Sequence, residues 1–357
     1  MRLWIATLSP RRRWRSGSLA MTLWGGGMKK NRLVKIAVAC GLAIVALSGA
    51  AAWHWTQARL DAPGPHATEI IADFPKGTSV AGIAARLQDA GAIECPLLFR
   101  AGAILSGDAR RMKAGEYAIA PGASMRMILR QITAGEVLQH QISIAEGLST
   151  HEILALVAAT EPLSGIMPPP PPEGSLLPET YNFPRGESRA ALIARMQTAQ
   201  KTLLAKVWAA RNAHIPLATP EDALILASIV EKETGIAAER PLIAGVFYNR
   251  LRLGMALQSD PTVVYARDKG APNDAPISRA DLAIESPFNT YKQPGLPPAP
   301  IANPGHAALE AVLHPGETDA LYFVADGNGG HTFAASLDEH NKNVAKLRAR
   351  EKQQKNE

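Results

Sequence analysis

The sequence predicts an α+β protein with three parts: an N-terminal transmembrane helix, a small α+β module and a larger α+β domain. Three observations lead to this prediction. Residues 36–55 form an uncharged apolar run, short strand and helix patterns follow from residue 69, and long apolar helical stretches follow five prolines at 168–172. The chain has 357 residues, of which 46% are hydrophobic and 20% charged, and this composition excludes a disordered protein.

The changes in pattern also predict where the chain divides. We expect a basic segment at 1–35, a transmembrane helix at 36–55, a linker at 56–68, the small module at 69–138, the larger domain at 139–345 and a charged tail at 346–357. Residues 1–27 show no fold pattern, and Met28 followed by Lys-Lys-Asn-Arg is typical of a natural start. We therefore expect residues 1–27 to be an extension outside the fold, with Met1 and Met28 both open as the true start.

The uncharged run at 36–55 has about the length that a helix needs to cross a bilayer core. Cations precede it and tryptophans stand at its far end: Lys29, Lys30, Arg32, Lys35, Trp53 and Trp55. Because cations beside a span stay in the cytoplasm, we predict a single-pass anchor with a cytoplasmic N-terminus and the rest of the chain outside. The alternative is a cleaved signal peptide, since residues 47–52 offer the small side chains of a cleavage site.

The net charge of +6 is concentrated at the N-terminus. Residues 1–35 hold nine of the 38 Lys and Arg side chains and none of the 32 acidic ones, so the remainder carries a net charge of about −3. This distribution argues against nucleic-acid binding. Two cysteines exclude a disulfide framework. His306, His314, His331 and His340 lack metal-ligand spacing, so we expect loop or core histidines, no metal and no cofactor.

Local patterns place the secondary structure of both folded parts. In the small module, residues 80–87 carry apolar side chains at helical spacing, and residues 113–119 form a strand pattern. In the larger domain, residues 321–325 and 331–335 flank the turn sequence Asp-Gly-Asn-Gly-Gly at 326–330. That arrangement predicts a β-hairpin and not a phosphate loop, because no Gly-Lys-Ser/Thr follows.

Two glutamates end a helix that the sequence predicts to be buried. Thr219 is a typical N-cap, and residues 223–230 are apolar on nearly every side. Glu233 follows an aliphatic face of this helix, whereas Glu231 follows a smaller and more polar one. Because burial raises a carboxyl pKa, Glu233 is the better candidate for a general acid, with Glu231 as the fallback. The alternative is that both glutamates are solvated at a fraying helix end.

Eight stretches carry a resemblance to a known family: residues 173–184, 226–234, 246–255, 257–263, 286–291, 295–298, 322–327 and 330–333. Together, and in this order, they resemble the endolytic murein transglycosylase (MltG, or YceG-like) family of membrane-anchored bacterial lytic transglycosylases. The resemblance covers roughly residues 69–344. The first 27 residues and the proline run have no counterpart in it.

The resemblance implies a LysM-like module at 69–138 and a catalytic domain that cleaves within uncrosslinked peptidoglycan. Such enzymes break the β-1,4 bond between N-acetylmuramic acid (MurNAc) and N-acetylglucosamine (GlcNAc) without water and leave a 1,6-anhydro-MurNAc end. The resemblance makes Glu233 the general acid and base and Tyr291 a second catalytic residue. It also implies six substrate-binding residues: Glu173, Tyr181, Asn249, Gln258, Asp260 and Asn289.

The resemblance further implies peptidoglycan strands and peptidoglycan synthases as partners. It places the anchor in the bacterial inner membrane and the catalytic domain in the periplasm. The small module is then either a glycan-contacting module or a spacer.

One acid suffices for this reaction. Glu233 protonates the glycosidic oxygen, and its carboxylate then takes the proton of the MurNAc 6-hydroxyl, which attacks the anomeric carbon. Two alternatives stay open. A hydrolytic muramidase would use Asp260 or Glu179 as a second carboxylate, and a catalytically idle scaffold would bind glycan without cutting it.

Overall fold

The structure of the protein is a computed structural model that describes the backbone of residues 26–354 and the side chains of residues 31–353. Of the predicted extension at 1–27, residues 1–25 lie outside the described residues, and so do the last three residues of the predicted tail. The described residues contain both helices and strands, so the mixed α and β composition is confirmed. The LysM-like character of the small module and the predicted domain boundaries stay predictions.

The helices are α1 (Gly26–Asp61), α2 (Val80–Asp89), α3 (Pro96–Leu105), α4 (Met125–Ala134), α5 (Thr150–Ala159), α6 (Arg189–Ala209), α7 (Pro220–Glu233), α8 (Arg240–Arg252), α9 (Asp260–Asp268), α10 (Arg279–Leu282), α11 (His306–Leu313) and α12 (Leu337–Gln354). The strands are β1 (Ile70–Phe74), β2 (Gly115–Ile119), β3 (Gln139–Ser143), β4 (Thr180–Pro184), β5 (Tyr322–Ala325) and β6 (His331–Ala334). They form three two-stranded antiparallel sheets, which pair β1 with β2, β3 with β4 and β5 with β6.

Helix α1 is the one helix among the described residues that is long and apolar enough to cross a membrane. Its side chains from Asn31 to Trp55 are all exposed, as a lipid-facing helix requires. The helix continues beyond the expected span and ends at Asp61, where the Ala-Pro-Gly-Pro sequence stops it. A signal sequence passes the same test of length and composition.

The described residues divide into two compact units. One unit contains the residues up to Thr68 with Val80–Arg111 and Ala120–Arg130. Within it the end of α1 packs on α3, because Leu60 is buried against Gly102. A Cβ on Gly102 would lie 2.9 Å from the Leu60 side chain, so glycine allows this close approach.

The other unit contains Glu69–Ser79, Met112–Ile119 and the residues from Gln131 onward, and its core surrounds α7. Residues of α8 and α11 pack on this helix, including Phe247, Leu309 and Val312, all fully buried. Helix α7 begins with the predicted cap: the Thr219 hydroxyl accepts a hydrogen bond from the Asp222 N–H at 3.1 Å, and the Asp222 carboxylate accepts one in return from the Thr219 N–H. The cap thus marks where α7 begins, and the packing of its apolar body holds the helix in the core up to its last residue, Glu233.

The predicted hairpin is confirmed in β5 and β6, which pair from Tyr322↔Ala334 to Ala325↔His331. Asp326 begins the turn between them, and its carboxylate accepts hydrogen bonds from the N–H groups of Asn328 and Gly330. This side chain satisfies backbone donors that the tight turn leaves unpaired.

Candidate active site

Glu233 is the last residue of α7, and its side chain is only partly exposed. Its Oε1 accepts a hydrogen bond from the Ser259 hydroxyl at 2.5 Å. Burial raises the pKa of the Glu233 carboxyl to about 7, since the charged form loses solvation. The Ser259 hydrogen bond opposes this rise in pKa, and the negative charge of Asp260 adds to it. Glu233 therefore has a carboxyl that holds or releases a proton near neutral pH.

Glu233 faces a polar cavity of about 310 Å³. Four of the residues selected from the sequence line it together, namely Glu233, Gln258, Asp260 and Tyr291. Arg250, Tyr322 and His340 line it as well. The C-terminal end of α7, the segment before α9, the loop at 286–291 and strand β5 thus meet at one place although they are far apart in the chain.

The segment before α9 has an unusual backbone. Gln258 has a φ of +49°, in the left-handed region, and it is one of two non-glycine residues with a positive φ among the described residues. The Gln258 N–H donates to the Thr290 carbonyl at 3.1 Å, and the Ser259 N–H donates to the Thr290 hydroxyl at 3.0 Å. These bonds hold a conformation that side chains disfavour, and strain of this kind concentrates at functional sites. The bend aims Ser259 at Glu233.

Tyr291 and Asp260 form a hydrogen-bonded pair on the cavity wall. The Tyr291 hydroxyl donates to Asp260 Oδ1 at 2.6 Å. Burial raises the pKa of Tyr291, and the hydrogen bond to Asp260 and the charges of Asp260 and Glu233 raise it further. Tyr291 is therefore a neutral donor at physiological pH. Asn289 lies beneath this pair, fully buried, and its Oδ1 accepts from the Tyr291 N–H, so it shapes the loop without reaching the cavity.

Arg250 is a cavity residue that sequence reasoning missed. It belongs to α8 and is buried, and its guanidinium donates to the carbonyls of Leu321 at 2.6 Å and Leu257 at 2.7 Å. Its Cζ also lies over the Tyr322 ring, 5.2 Å from the centroid. The His340 ring stacks on Tyr322 as well, with the two ring centroids 5.2 Å apart. An arginine that closely follows the apolar run at 242–248 was the signal available in the sequence.

The pair formed by Glu239 and His331 was missed as well. The two carboxylate oxygens of Glu239 lie 2.8 Å from the backbone N and the ring Nδ1 of His331. The Thr234 hydroxyl, next to Glu233, donates to the same carboxylate at 3.1 Å. His331 was expected to be a loop or core histidine. The structure shows it as the anchor that fixes the β5–β6 hairpin beside the end of α7.

Glu231, the fallback acid, does not line the cavity. Its side chain is 4% exposed, and its two oxygens accept hydrogen bonds from Arg240 Nη2 at 3.1 Å and from the Gly305 N–H at 2.9 Å. Burial raises the pKa of Glu231, whereas the Gly305 and Arg240 hydrogen bonds lower it. Both oxygens are therefore occupied by the protein, as in a structural carboxylate.

Three further candidates also lie outside the cavity lining. Asn249 donates from Nδ2 to the carbonyls of Thr318 and Ala320, and the Tyr181 hydroxyl donates to the Leu177 carbonyl at 2.8 Å. Glu179 is exposed on the segment before β4 and lines neither this cavity nor the one discussed below. Of the two residues proposed as a second carboxylate, Asp260 alone is in the cavity.

Glu173 is a partly buried hydrogen-bond acceptor that does not line the Glu233 cavity. Its carboxylate accepts from the Thr150 N–H at 2.7 Å, from Asn303 Nδ2 at 3.0 Å and from the Tyr265 hydroxyl at 3.4 Å. Burial raises the pKa of Glu173, and the hydrogen bonds from Thr150 and Tyr265 lower it. Within the residues that the structure describes, no group of three or more His, Cys, Asp or Glu side chains is placed to hold a metal ion.

Comparison with known proteins finds a matching family and named relatives. The model of the YceG-like family matches residues 72–346. The chain is 32% identical over 306 residues to a Bacillus subtilis protein named endolytic murein transglycosylase, which covers 77% of this chain and 84% of that protein. It is 38% identical over 180 residues to a Streptococcus pneumoniae protein of the same name, which covers 48% of this chain and 32% of that protein.

The fold has a counterpart in a crystal structure. A putative YceG-like protein from Listeria monocytogenes matches with a TM-score of 0.50 and 31% sequence identity, over 77% of this chain and 98% of that one. The fold, the glutamate cavity and the named relatives together define an enzyme, a lytic transglycosylase. The chain belongs to the YceG-like family, which confirms the resemblance seen in the sequence.

Proposed function

We propose that the enzyme acts on peptidoglycan and cleaves the β-1,4 bond between MurNAc and GlcNAc within nascent glycan strands, with a 1,6-anhydro-MurNAc end as one product. The observation that carries this proposal is the Glu233 carboxyl, whose pKa of about 7 allows it to give and take the same proton. The printed name of the relatives, endolytic murein transglycosylase, supports the choice of substrate.

In the proposed reaction, protonated Glu233 donates its proton to the glycosidic oxygen as the bond to the anomeric carbon breaks. The Glu233 carboxylate then takes the proton of the MurNAc 6-hydroxyl, whose oxygen bonds to the anomeric carbon. The net result moves one proton from the 6-hydroxyl to the leaving GlcNAc, and no water enters. The Ser259 hydrogen bond on Oε1 orients the carboxyl for both transfers.

The neighbours of Glu233 have supporting roles in this proposal. The carboxylate of Asp260 stabilises the positive charge that develops on the sugar ring, since opposite charges attract strongly in a partly dry cavity. Tyr291 holds Asp260 in place through the 2.6 Å hydrogen bond, and Gln258 offers an amide to the N-acetyl groups. Arg250, stacked on Tyr322, offers an N–H donor to the lactyl carbonyl of MurNAc.

A hydrolytic muramidase is the second candidate function, because Asp260 lines the same cavity as Glu233. In that mechanism a second carboxylate acts as a nucleophile or activates water. The Tyr291 hydroxyl already occupies one Asp260 oxygen, which favours the single-acid route.

We place the catalytic domain in the periplasm of a bacterial cell, held at the inner membrane by α1. The cations that precede the span favour a cytoplasmic N-terminus. A LysM-like module at 69–138 would then contact glycan, and peptidoglycan synthases are the partners that supply nascent strands.

Mass spectrometry of the products tests the function. The full chain in detergent is incubated with purified glycan strands, and the masses of the products are measured. We expect products lighter than hydrolysis products by one water molecule. Hydrated reducing ends would establish the muramidase and assign Asp260 as the second carboxylate. If wild-type protein with a native circular dichroism spectrum cuts no strand, the proposal is rejected.

A further inference from the structure

A second cavity adjoins the one that contains Glu233. It measures about 440 Å³ and shares Asp260 with the first, so the two spaces meet at that side chain. Lys232, the residue before Glu233, lines the second cavity. Consecutive residues at the end of α7 therefore border the two spaces, both of which lie within the unit built around α7.

One wall of the second cavity is a continuous face of α9. Asp260, Pro261, Val264, Tyr265 and Asp268 line it, and this spacing of one and four residues follows one side of a helix. Eight residue steps at the rise of an α-helix extend about 12 Å, which is comparable with a disaccharide. The cavity that contains Glu233 lies at the N-terminal end of this face, so the two spaces form one path along α9.

The lining has the mixed chemistry that sugars need. Pro261, Val264 and Ile277 offer apolar surface to the C–H faces of pyranose rings, while Lys232 and Asp274 offer charged groups to hydroxyl and acetamido substituents. Predominantly apolar walls with a few placed polar groups are typical of ligand sites. The first cavity, at about 310 Å³, is near the lower end of the range for small-ligand sites, so several consecutive sugars need further surface.

The walls of the second cavity are fixed from behind by Glu173. Its carboxylate accepts hydrogen bonds from the Thr150 N–H, beside Ser149, and from the Tyr265 hydroxyl on α9. The Ser149 hydroxyl in turn donates to the Gly270 carbonyl at 2.6 Å. One partly buried carboxylate thus ties two walls together, and a preformed site loses less entropy when it binds a chain.

We propose that this second cavity, the α9 groove, binds the GlcNAc–MurNAc units of the strand on one side of the bond that Glu233 cleaves. The inference rests on the proposed function, because a bond in the interior of a strand has sugars on both sides that the enzyme must accommodate. Glu173 is then a positioning residue for the groove and does not touch the reacting atoms.

Binding measurements with defined oligosaccharides test the α9 groove. The full chain carrying Glu233→Gln is titrated by calorimetry in detergent with stem-free GlcNAc–MurNAc oligosaccharides of two, four and six sugars. We expect the affinity of this Glu233→Gln protein, the parent of the variants below, to rise at least tenfold from two to six sugars. Val264→Trp and Ala271→Trp, added separately, fill the groove from its wall and from its exposed rim, and each removes that gain.

Leu156→Trp is the matched control. This side chain is 43% exposed on α5 and lines neither cavity, so the length dependence stays intact. Ala271 is exposed on a loop, which keeps the test valid if Val264→Trp does not fold. If both groove variants keep the full tenfold rise in affinity from two to six sugars, the proposal for the α9 groove is wrong, while the proposed function is unaffected. A parent that binds none of the oligosaccharides, with a wild type that cuts no strand, would overturn the groove and the proposed function together.

Discussion

At the scale of single residues, the difference between Glu231 and Glu233 decides what the end of α7 can do. The two carboxyls are two residues apart on one helix, and burial raises the pKa of both. Glu231 is held by Arg240 and by the Gly305 N–H, whereas Glu233 has one protein donor, the Ser259 hydroxyl, and faces a cavity. An acid must have an oxygen that the substrate can reach, and Glu233 satisfies this condition.

Paired substitutions separate the two carboxyls. We expect Glu233→Gln to lower kcat by about 10²- to 10⁴-fold, the range for loss of a general acid, with little change in stability. Glu231→Gln should keep most of the activity and reduce the free energy of unfolding by about 1–3 kcal/mol, because a hydrogen bond to a charged group is weakened. Kinetics on glycan strands and denaturant unfolding measure both. The reverse pattern would assign the acid to Glu231.

The pH dependence of cleavage reports the Glu233 proton directly. The acid acts when protonated and its pKa is about 7, so we expect kcat/KM to fall as the pH rises through about 7. The Ser259 hydrogen bond favours the charged form and lowers this pKa, so Ser259→Ala should move the fall to higher pH. The Asp260 charge raises the pKa, so Asp260→Asn should move the fall to lower pH.

Rate–pH profiles of the three proteins between pH 5 and pH 9 check these directions, with the range chosen to span about two units on each side of the carboxyl pKa. The position of the fall is independent of the maximum rate, so a slow variant is still informative. Shifts of both variants in the same direction would show that Glu233 is not the titrating group.

At the scale of elements, hydrogen bonds to Glu239 connect the β5–β6 hairpin to the end of α7. This carboxylate accepts hydrogen bonds from Thr234, which follows Glu233, and from the His331 backbone at the start of β6. The pKa of Glu239 is lowered by its His331 and Thr234 hydrogen bonds, which outweigh the opposing effect of burial. The contribution of these bonds to stability is present above the ordinary carboxyl pKa and is lost as the pH falls through the lowered one.

Glu239→Gln tests whether these hydrogen bonds hold the hairpin against the end of α7. We expect the free energy of unfolding to decrease by about 1–3 kcal/mol at neutral pH, since charge-assisted hydrogen bonds are replaced by weaker ones. Amide hydrogen exchange in β5 and β6 should accelerate, and kcat should decrease because β5 supplies a wall of the cavity. Glu285→Gln is the control, because the Glu285 side chain is 74% exposed and its ion pair with Lys292 is worth about 1 kcal/mol or less. Equal effects of both substitutions would contradict the anchoring role.

At the scale of the whole molecule, patterns that are local in sequence could be predicted and contacts between distant segments could not. The N-cap of α7 and the β5–β6 hairpin depend on a few consecutive residues, and both are confirmed. The Glu239–His331 contact joins residues 92 positions apart, and nothing near either one in the sequence indicates the other. Asn249 is a second such case, since its amide donates to the backbone carbonyls of Thr318 and Ala320, which are 69 and 71 positions away, and it does not line the cavity.

The position of the chain across the membrane is a prediction for the whole molecule, and its two cysteines allow a direct test. Cys40 lies within α1, where hydrocarbon would shield it, and Cys95 is a free, partly exposed thiol after the helix. The cations that precede the apolar run at 36–55 favour a cytoplasmic N-terminus, so Cys95 should face the periplasm. We expect a membrane-impermeant maleimide to label the full chain in intact spheroplasts, and Cys95→Ser to abolish this labelling. Labelling that appears only after lysis would show the opposite orientation, with the Glu233 cavity on the side of the membrane that has no peptidoglycan to cut.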